Sequence, residues 1–491
     1  ITAILTVGSG GSAGAEGPIV QSGSVIGSSI ARRLGVERRD VTTLVGCGAA
    51  SGIASIFNAP IAGVFFALEI LLRDFSLKTF TPIVIASVFA TGMTQILLPH
   101  EEAIFAFELS GYMFTALELP NYIVLGVLCA LAAWLFVRTL HASENAFARV
   151  KIHPALVPAM GALGLGILGI GGLVATRSLT GSTLVPGEGS VPVFFGNGYP
   201  MIRSLLDPTH YGPSDVTLAA VLTLGLLMLA KIVATSLTLG SGGSGGVLAP
   251  SLFVGATVGG TFGVVLKMIG LVPQDGSPAS YALVGMAAVL AGATFAPMTA
   301  ILILFELTRE PRVLAPIMLA AIVATLVARH LMPDSVYTAK LRRAGVRIGG
   351  GRDLGILRHV PVTSVESHPL PPEPVYPSDP LSKLITLHAY HSVPDFPVVD
   401  QDGRAIGMVT GRDMRAALID REAIPLLLVA EIMRTDLPTL DPSEHLDTVM
   451  DKFSRHDVSS LILLDPMGNG TPIALVTRAR MLQRYNEVLD E

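Results

Sequence analysis

Apolar stretches follow one another through residues 1–343, yet few run unbroken for the roughly 20 residues that a helix needs to cross a bilayer. Segments 80–99, 120–140, 154–175, 215–238 and 314–332 reach that length, whereas 41–57, 59–72, 280–293 and 296–307 are shorter and separated by Gly, Asn or Pro. Lipid tolerates irregular backbone only where protein buries it or where it lines a watery cavity. The pattern therefore predicts an all-α polytopic membrane domain over 1–343 with a pathway through it. From 344 to 491 the character changes to charged, Pro- and Asp-rich chain with short alternating runs and turn signals, which predicts a soluble α/β domain. It contains a repeat of its own. DFPVVD (395–400), a QDG turn and AIGMVT (405–410) are matched by SSLILLD (459–465), a turn at 466–470 and PIALVT (472–477), which predicts tandem units over about 359–421 and 426–491.

The membrane part is also written twice. GSGGSAGAEGP (8–18) returns as GSGGSGGVLAP (240–250) at one constant offset. Ala59-Pro60 leading to Glu69 likewise returns as Ala296-Pro297 leading to Glu306 with the same Pro-to-Glu spacing. Two matched, glycine-interrupted breaks in an apolar chain predict inverted repeats with a substrate site where the broken helices meet. Glycine lets backbone approach a ligand closely, and helices starting near Pro18 and Ser251 would aim free N–H groups at an anion. Residues 8–21 and 240–256 contain no Lys or Arg, so the attraction would come from helix dipoles and amide donors. Partial charges hold an anion without trapping it, as conduction requires.

Glu16 stands out in this setting. An ionised carboxylate at that helix start can occupy the anion's seat, and protonation would release it. The plainer alternatives are that Glu16 caps its helix and that the glycines serve close helix packing. Glu69 and Glu306 are expected to satisfy neighbouring helix N–H groups, with a proton role for Glu69 as the alternative. Because the second half has more than 100 residues of membrane-like chain before Gly240 and the first only seven before Gly8, repeat logic predicts roughly 110 residues upstream of Ile1.

Composition narrows the class. With 51% hydrophobic and 14% charged residues and a mean hydropathy of +0.61, the chain has too few charges for a soluble surface of this size. A net charge of -5 offers no basic field for nucleic acid. Cys47 and Cys129 lie in apolar segments and give no disulfide framework, and no signal peptide is visible. An intramembrane zinc protease would need a His-Glu-x-x-His helix; His100-Glu101-Glu102 continues into Ala103 and Ile104, so no metal site and no enzyme are expected. Transport is the reading left.

The motifs in combination resemble the CLC family of chloride channels and chloride/proton exchangers. Residues 14–18 (GAEGP) are similar to its gate motif, which implies that Glu16 gates, with Gly14 and Gly17 beside the anion. Residues 245–250 (GGVLAP) resemble its G-x-F-x-P loop, which implies that Gly246, Val247 and Leu248 hold the anion through backbone amides. Residues 335–337 (SVY) resemble its pore-lining tyrosine position, which implies a hydroxyl contact from Tyr337; FNAP (57–60) and GMAA (285–288) also look like family signatures. Ala15 replaces the usual basic residue and Leu248 the usual Phe. The family's Gly-Ser-Gly-Ile-Pro loop would lie upstream of Ile1. Many exchangers carry a second, inward-facing proton-transfer glutamate directly after the position of Glu69; this chain has Ile70 there, so channel and antiporter both stay open. The tail resembles a pair of CBS domains. GMVTGRD (407–413) is similar to their nucleotide motif, implying Thr410 near phosphate and Asp413 on ribose, while Arg480 stands where the second copy would have its Asp. The resemblance implies chloride and protons as the transported species, a homodimer in the plasma membrane, CBS domains in the cytosol and an adenine nucleotide as the one possible cofactor. A truncated, non-conducting remnant of such a transporter is the alternative.

Overall fold

The computed structural model describes residues 2–36, 38–98, 105, 115–150, 152–179, 191–212, 215–272, 276–343, 357, 360–391, 395–418, 426–456, 458–466 and 469–490. His100, Glu101 and Glu102 and the predicted boundary at Ala344 lie outside them. The chain forms two compact units, Ile1–Ile348 and Gly349–Glu491.

The first unit is helical: α1 (Thr2–Gly8), α2 (Glu16–Leu34), α3 (Arg38–Phe57), α4 (Pro60–Phe65), α5 (Leu77–Leu97), α6 (Leu119–Ala148), α7 (Val157–Leu179), α8 (Tyr199–Leu206), α9 (Leu218–Gly240), α10 (Leu248–Met268), α11 (Pro278–Thr294), α12 (Pro297–Thr308), α13 (Leu314–Leu331) and α14 (Thr338–Arg343). Seven helices among the described residues are long and apolar enough to cross a membrane. One of these corrects the sequence expectation: residues 41–57 belong to the 20-residue helix α3. Helix α10 runs unbroken from Leu248 to Met268. Glycines that look like breaks in α3 are contact points instead. A Cβ on Gly48 would lie 2.0 Å from the Gly23 carbonyl oxygen of α2, and one on Gly285 of α11 would lie 2.4 Å from that of Gly255 in α10. Both repeats thus cross their helix pair through glycine, at a backbone distance no side chain permits. Helix α11 buries all of its residues, whereas α5 and α7 are largely exposed and carry Ile85, Phe89, Leu163 and Ile167 on the surface that lipid covers.

Each Ala-Pro helix is capped by the other repeat. Glu69 accepts from the N–H groups of Met298 (3.2 Å) and Thr299 (2.7 Å) and from the Thr299 hydroxyl (2.7 Å). Glu306 accepts from Ile61 (3.0 Å) and Ala62 (2.6 Å). The expected satisfaction of helix N–H groups is therefore met by an exchange across the repeat axis. Between Glu69 and the left-handed Arg73 (φ 55°) the chain has one residue more than between Glu306 and the left-handed Arg309 (φ 53°). The first copy absorbs the extra residue by widening to a π-helix over Phe66–Leu72, the usual result of a one-residue insertion.

The second unit contains α15 (Leu381–His391), β1 (Asp395–Val399), β2 (Ala405–Thr410), α16 (Gly411–Ala417), α17 (Val429–Ile432), α18 (Leu446–Arg455), β3 (Ser460–Leu464), β4 (Pro472–Thr477) and α19 (Arg478–Asp490). Strands β1–β2 and β3–β4 form separate antiparallel pairs, with Asp395 opposite Thr410 and Ser460 opposite Thr477. Each ladder slips at the same relative place, Val398/Val399 and Leu463/Leu464. Buried Asp395 ties the copies together, accepting from the Gly411 N–H at 2.8 Å and from the Ser460 hydroxyl.

Candidate functional site

The two glycine loops meet face to face. Gly14 N–H donates to the Gly246 carbonyl at 2.9 Å and Gly246 N–H returns a bond to the Gly14 carbonyl at 2.7 Å, so equivalent residues of the two repeats pair with each other. The same exchange recurs one turn outward, where Ser12 N–H donates to the Thr238 hydroxyl (3.0 Å) and Ser244 N–H to the Thr6 hydroxyl (3.2 Å). Gly10 and Gly242 take the left-handed conformation (φ 96° and 99°) that turns each loop back onto its helix, which only glycine adopts without strain.

Beyond this bridge the chain enters α2 and α10, and the two helix starts point into one place. They begin two and three residues earlier than expected, at Glu16 and Leu248, which leaves Pro18 and Pro250 in first turns, where a missing N–H is harmless. Among the described residues the N–H groups of Val247 and Leu248 donate to no protein acceptor, as expected of a helix start open to an anion. Glu16 is 1% exposed and folds over this opening. Its Oε2 finds no donor at full hydrogen-bond geometry and lies toward the backbone of Ala249. A Cβ on Gly246 would come within 2.8 Å of Oε2, and one on Gly14 would collide with it, so both glycines make room for the carboxylate. The Tyr199 hydroxyl donates to Oε1 at 3.2 Å.

Of the residues singled out in the sequence, Gly14, Glu16, Gly17, Gly246, Val247 and Leu248 come together here. Tyr337 lies within reach of the Glu16 charge, placed by a Val336 N–H bond to the Ala293 carbonyl (2.9 Å), and its hydroxyl has no hydrogen bond among the described residues. Glu69 sits elsewhere, at the start of α12. Replacing it by Ala is expected to cost about 2–4 kcal/mol of membrane-domain stability, since three hydrogen bonds are lost and the two donors of buried Thr299 are left without a partner. Thermal unfolding in detergent measures this; an unshifted transition would show that the exchange carries no load.

Sequence reading missed Tyr199 and Lys231. Lys231 is the single charge within α9, fully buried, and donates to the carbonyls of Phe194 (3.1 Å) and Gly196 (2.8 Å). An ionisable residue inside a crossing helix is a sufficient flag by itself. Nothing in the sequence marks Tyr199.

In the tail, a cavity of about 750 Å³ is lined by Thr410, Arg412, Arg415, Thr477, Arg478 and Arg480, among others. Asp413 is not part of that lining. Its Oδ2 accepts from the Thr410 N–H (3.1 Å) and hydroxyl (2.6 Å) in a capping box that starts α16.

Comparison with known proteins agrees with this geometry. A family profile described as voltage gated chloride channel matches residues 1–329, and the CBS domain profile matches 358–420 and 429–487. A putative chloride channel protein ClcB-like from Ralstonia nicotianae is 32% identical over 348 residues, 70% of this chain and 73% of its own length. The chloride channel protein CLC-f of Arabidopsis thaliana is 36% identical over 333 residues, and the match spans 65% of this chain but only 39% of that protein. Among solved structures, a slow cyanobacterial Cl-/H+ antiporter aligns with a TM-score of 0.55 at 26% identity over 69% of this chain and 73% of its own. A eukaryotic CLC transporter covers 97% of this chain, and 78% of its own, with a TM-score of 0.60 at 21% identity, a likeness of fold.

Proposed function

The chain belongs to the voltage-gated chloride channel family and is an integral membrane protein with a tandem CBS tail, and on that footing we propose that it passes chloride under the control of Glu16. The observation that carries this reading is the position of the buried Glu16 carboxylate at the start of α10, where the N–H groups of Val247 and Leu248 donate to no acceptor among the described residues. Ionised, it competes with chloride for the same donors. Protonated, it leaves the seat to the anion, so conduction rises as pH falls. The backbone amides of Val247 and Leu248, with Gly14, Gly17 and Gly246 giving access, hold the anion, and the Tyr337 hydroxyl donates to it.

Position 70 favours an uncoupled conductance. Within the π-helical segment, Ile70 occupies the place where the family resemblance would put an exchanger's inner proton-transfer carboxylate. The second reading, chloride/proton exchange through Glu16 and Glu69, is favoured by the likeness to the cyanobacterial antiporter. Efflux from liposomes with chloride and proton electrodes recorded together separates them. The conductance reading expects chloride movement with no fixed proton ratio; a constant ratio across pH gradients would replace it with exchange. In this reading two such chains form a homodimer in the plasma membrane, the CBS pair lies in the cytosol, and its arginine-rich cavity takes the phosphates of an adenine nucleotide.

A further inference from the structure

The charge balance of the pathway does not close on Glu16 alone. Lys231 is 0% exposed, and none of the ion pairs among the described residues involves it. Two of its donors go to neutral carbonyls of Phe194 and Gly196, and its ammonium stands 5.2 Å from the Phe253 ring centre. Glu16 is the acidic group whose charge reaches it. The loop that carries those carbonyls is held to the first glycine loop, because the Ser12 hydroxyl also donates to Phe194 O at 2.9 Å. Gly198 then leads into Tyr199, whose hydroxyl meets Glu16. The ammonium and the seat that the carboxylate occupies are therefore joined through one connected set of hydrogen-bonded loops. Among the described residues, the titratable and charged groups that act on Glu16 are Tyr199 on α8, Lys231 on α9 and Tyr337 after α13, and Arg203 acts on Tyr199.

We propose that Lys231 is the fixed countercharge of this pathway, so that when Glu16 takes up a proton the unbalanced ammonium recruits one anion to the vacated seat. This rests on the reading of Glu16 as the gate. A buried charge in a membrane domain is costly unless another charge offsets it. With Glu16 ionised, the offset is internal. With Glu16 protonated, the site is left positive by one unit, and a halide restores neutrality. Anion binding and proton uptake are then linked through electrostatics, without a second carboxylate. Helix dipoles would bind an anion whatever the state of position 231, and Glu16 would still compete for the seat; the ammonium adds the charge attraction that the vacated seat exerts.

Calorimetric chloride binding to the purified full chain at pH 5 and pH 8 tests this. The parent protein is expected to bind more tightly at pH 5. Lys231→Met should bind about tenfold more weakly at pH 5 while keeping the part of the pH response that competition from Glu16 produces, and Lys231→Arg should stay within about threefold of the parent. Parent-like affinity at pH 5 in Lys231→Met would overturn the proposal. Glu16→Gln reports on the gate separately: it should bind tightly at both pH values, and a surviving pH dependence would instead refute Glu16 as the gate. Should Lys231→Met not fold, the double variant Glu16→Gln/Lys231→Met removes both charges together. It is expected to bind about tenfold more weakly than Glu16→Gln, and equal binding would count against Lys231.

Discussion

Glu16→Gln is expected to raise chloride flux at pH 7 by about tenfold or more and to flatten its response to acid. The amide keeps the size of the carboxyl group but lacks the charge that binds helix-terminal N–H donors, an interaction worth about 1.5–3 kcal/mol, and 1.4 kcal/mol is already a factor of ten in occupancy. The sign follows from which form blocks. With the ionised side chain in the seat, the parent protein is expected to conduct more as pH falls, and Glu16→Gln to conduct at neutral pH much as the parent does in acid. Liposome efflux recorded from pH 4.5 to 8 would decide it. A Glu16→Gln protein that still needs acid to open would show that another group gates.

Gly259→Ala should prevent assembly of the membrane domain. A Cβ at Gly259 would stand 2.0 Å from the Tyr281 carbonyl oxygen, and both atoms belong to helix backbone, so α10 and α11 would have to separate. Helix α10 carries the N-terminus that meets Glu16, and α11 is buried along its whole length, so neither can shift without repacking the core around them. A loss exceeding about 3 kcal/mol is expected, at the upper end of overpacking costs. Gly225→Ala is the matched control. Its Cβ would meet nothing within 4 Å, and a helix-interior alanine should gain about 0.5–1 kcal/mol. Fluorescence-detected size exclusion of the two proteins reads the contrast. A monodisperse, thermally unaltered Gly259→Ala protein would mean that the glycine crossing is not needed.

Much of the site was legible because its parts are short, local and repeated. The pairing of Gly14 with Gly246 follows from two strings at a constant offset, since equivalent residues of inverted repeats meet on their shared axis. The caps formed by Glu69 and Glu306 were foreseeable as N–H acceptors, but not that each would serve the other repeat's helix. Length counting failed for α3 because glycine reads as a break in one dimension and as a contact in three. Thr410 lines the tail cavity, whereas Asp413 does not. The motif spacing is also a capping-box spacing, and the side chain of Asp413 is engaged with Thr410 itself.

The amino-acid sequence by itself determined the membrane class, the duplicated glycine loops, the acid placed at one of them and the paired units of the tail, because each is written in contiguous residues whose periodicity and backbone freedom act locally. Only the tertiary structure decided what faces Glu16. Tyr199 and Lys231 reach it from helices far along the chain, and their roles arise from burial and charge balance. Those quantities exist only once distant segments have packed together and excluded the solvent that would otherwise screen them.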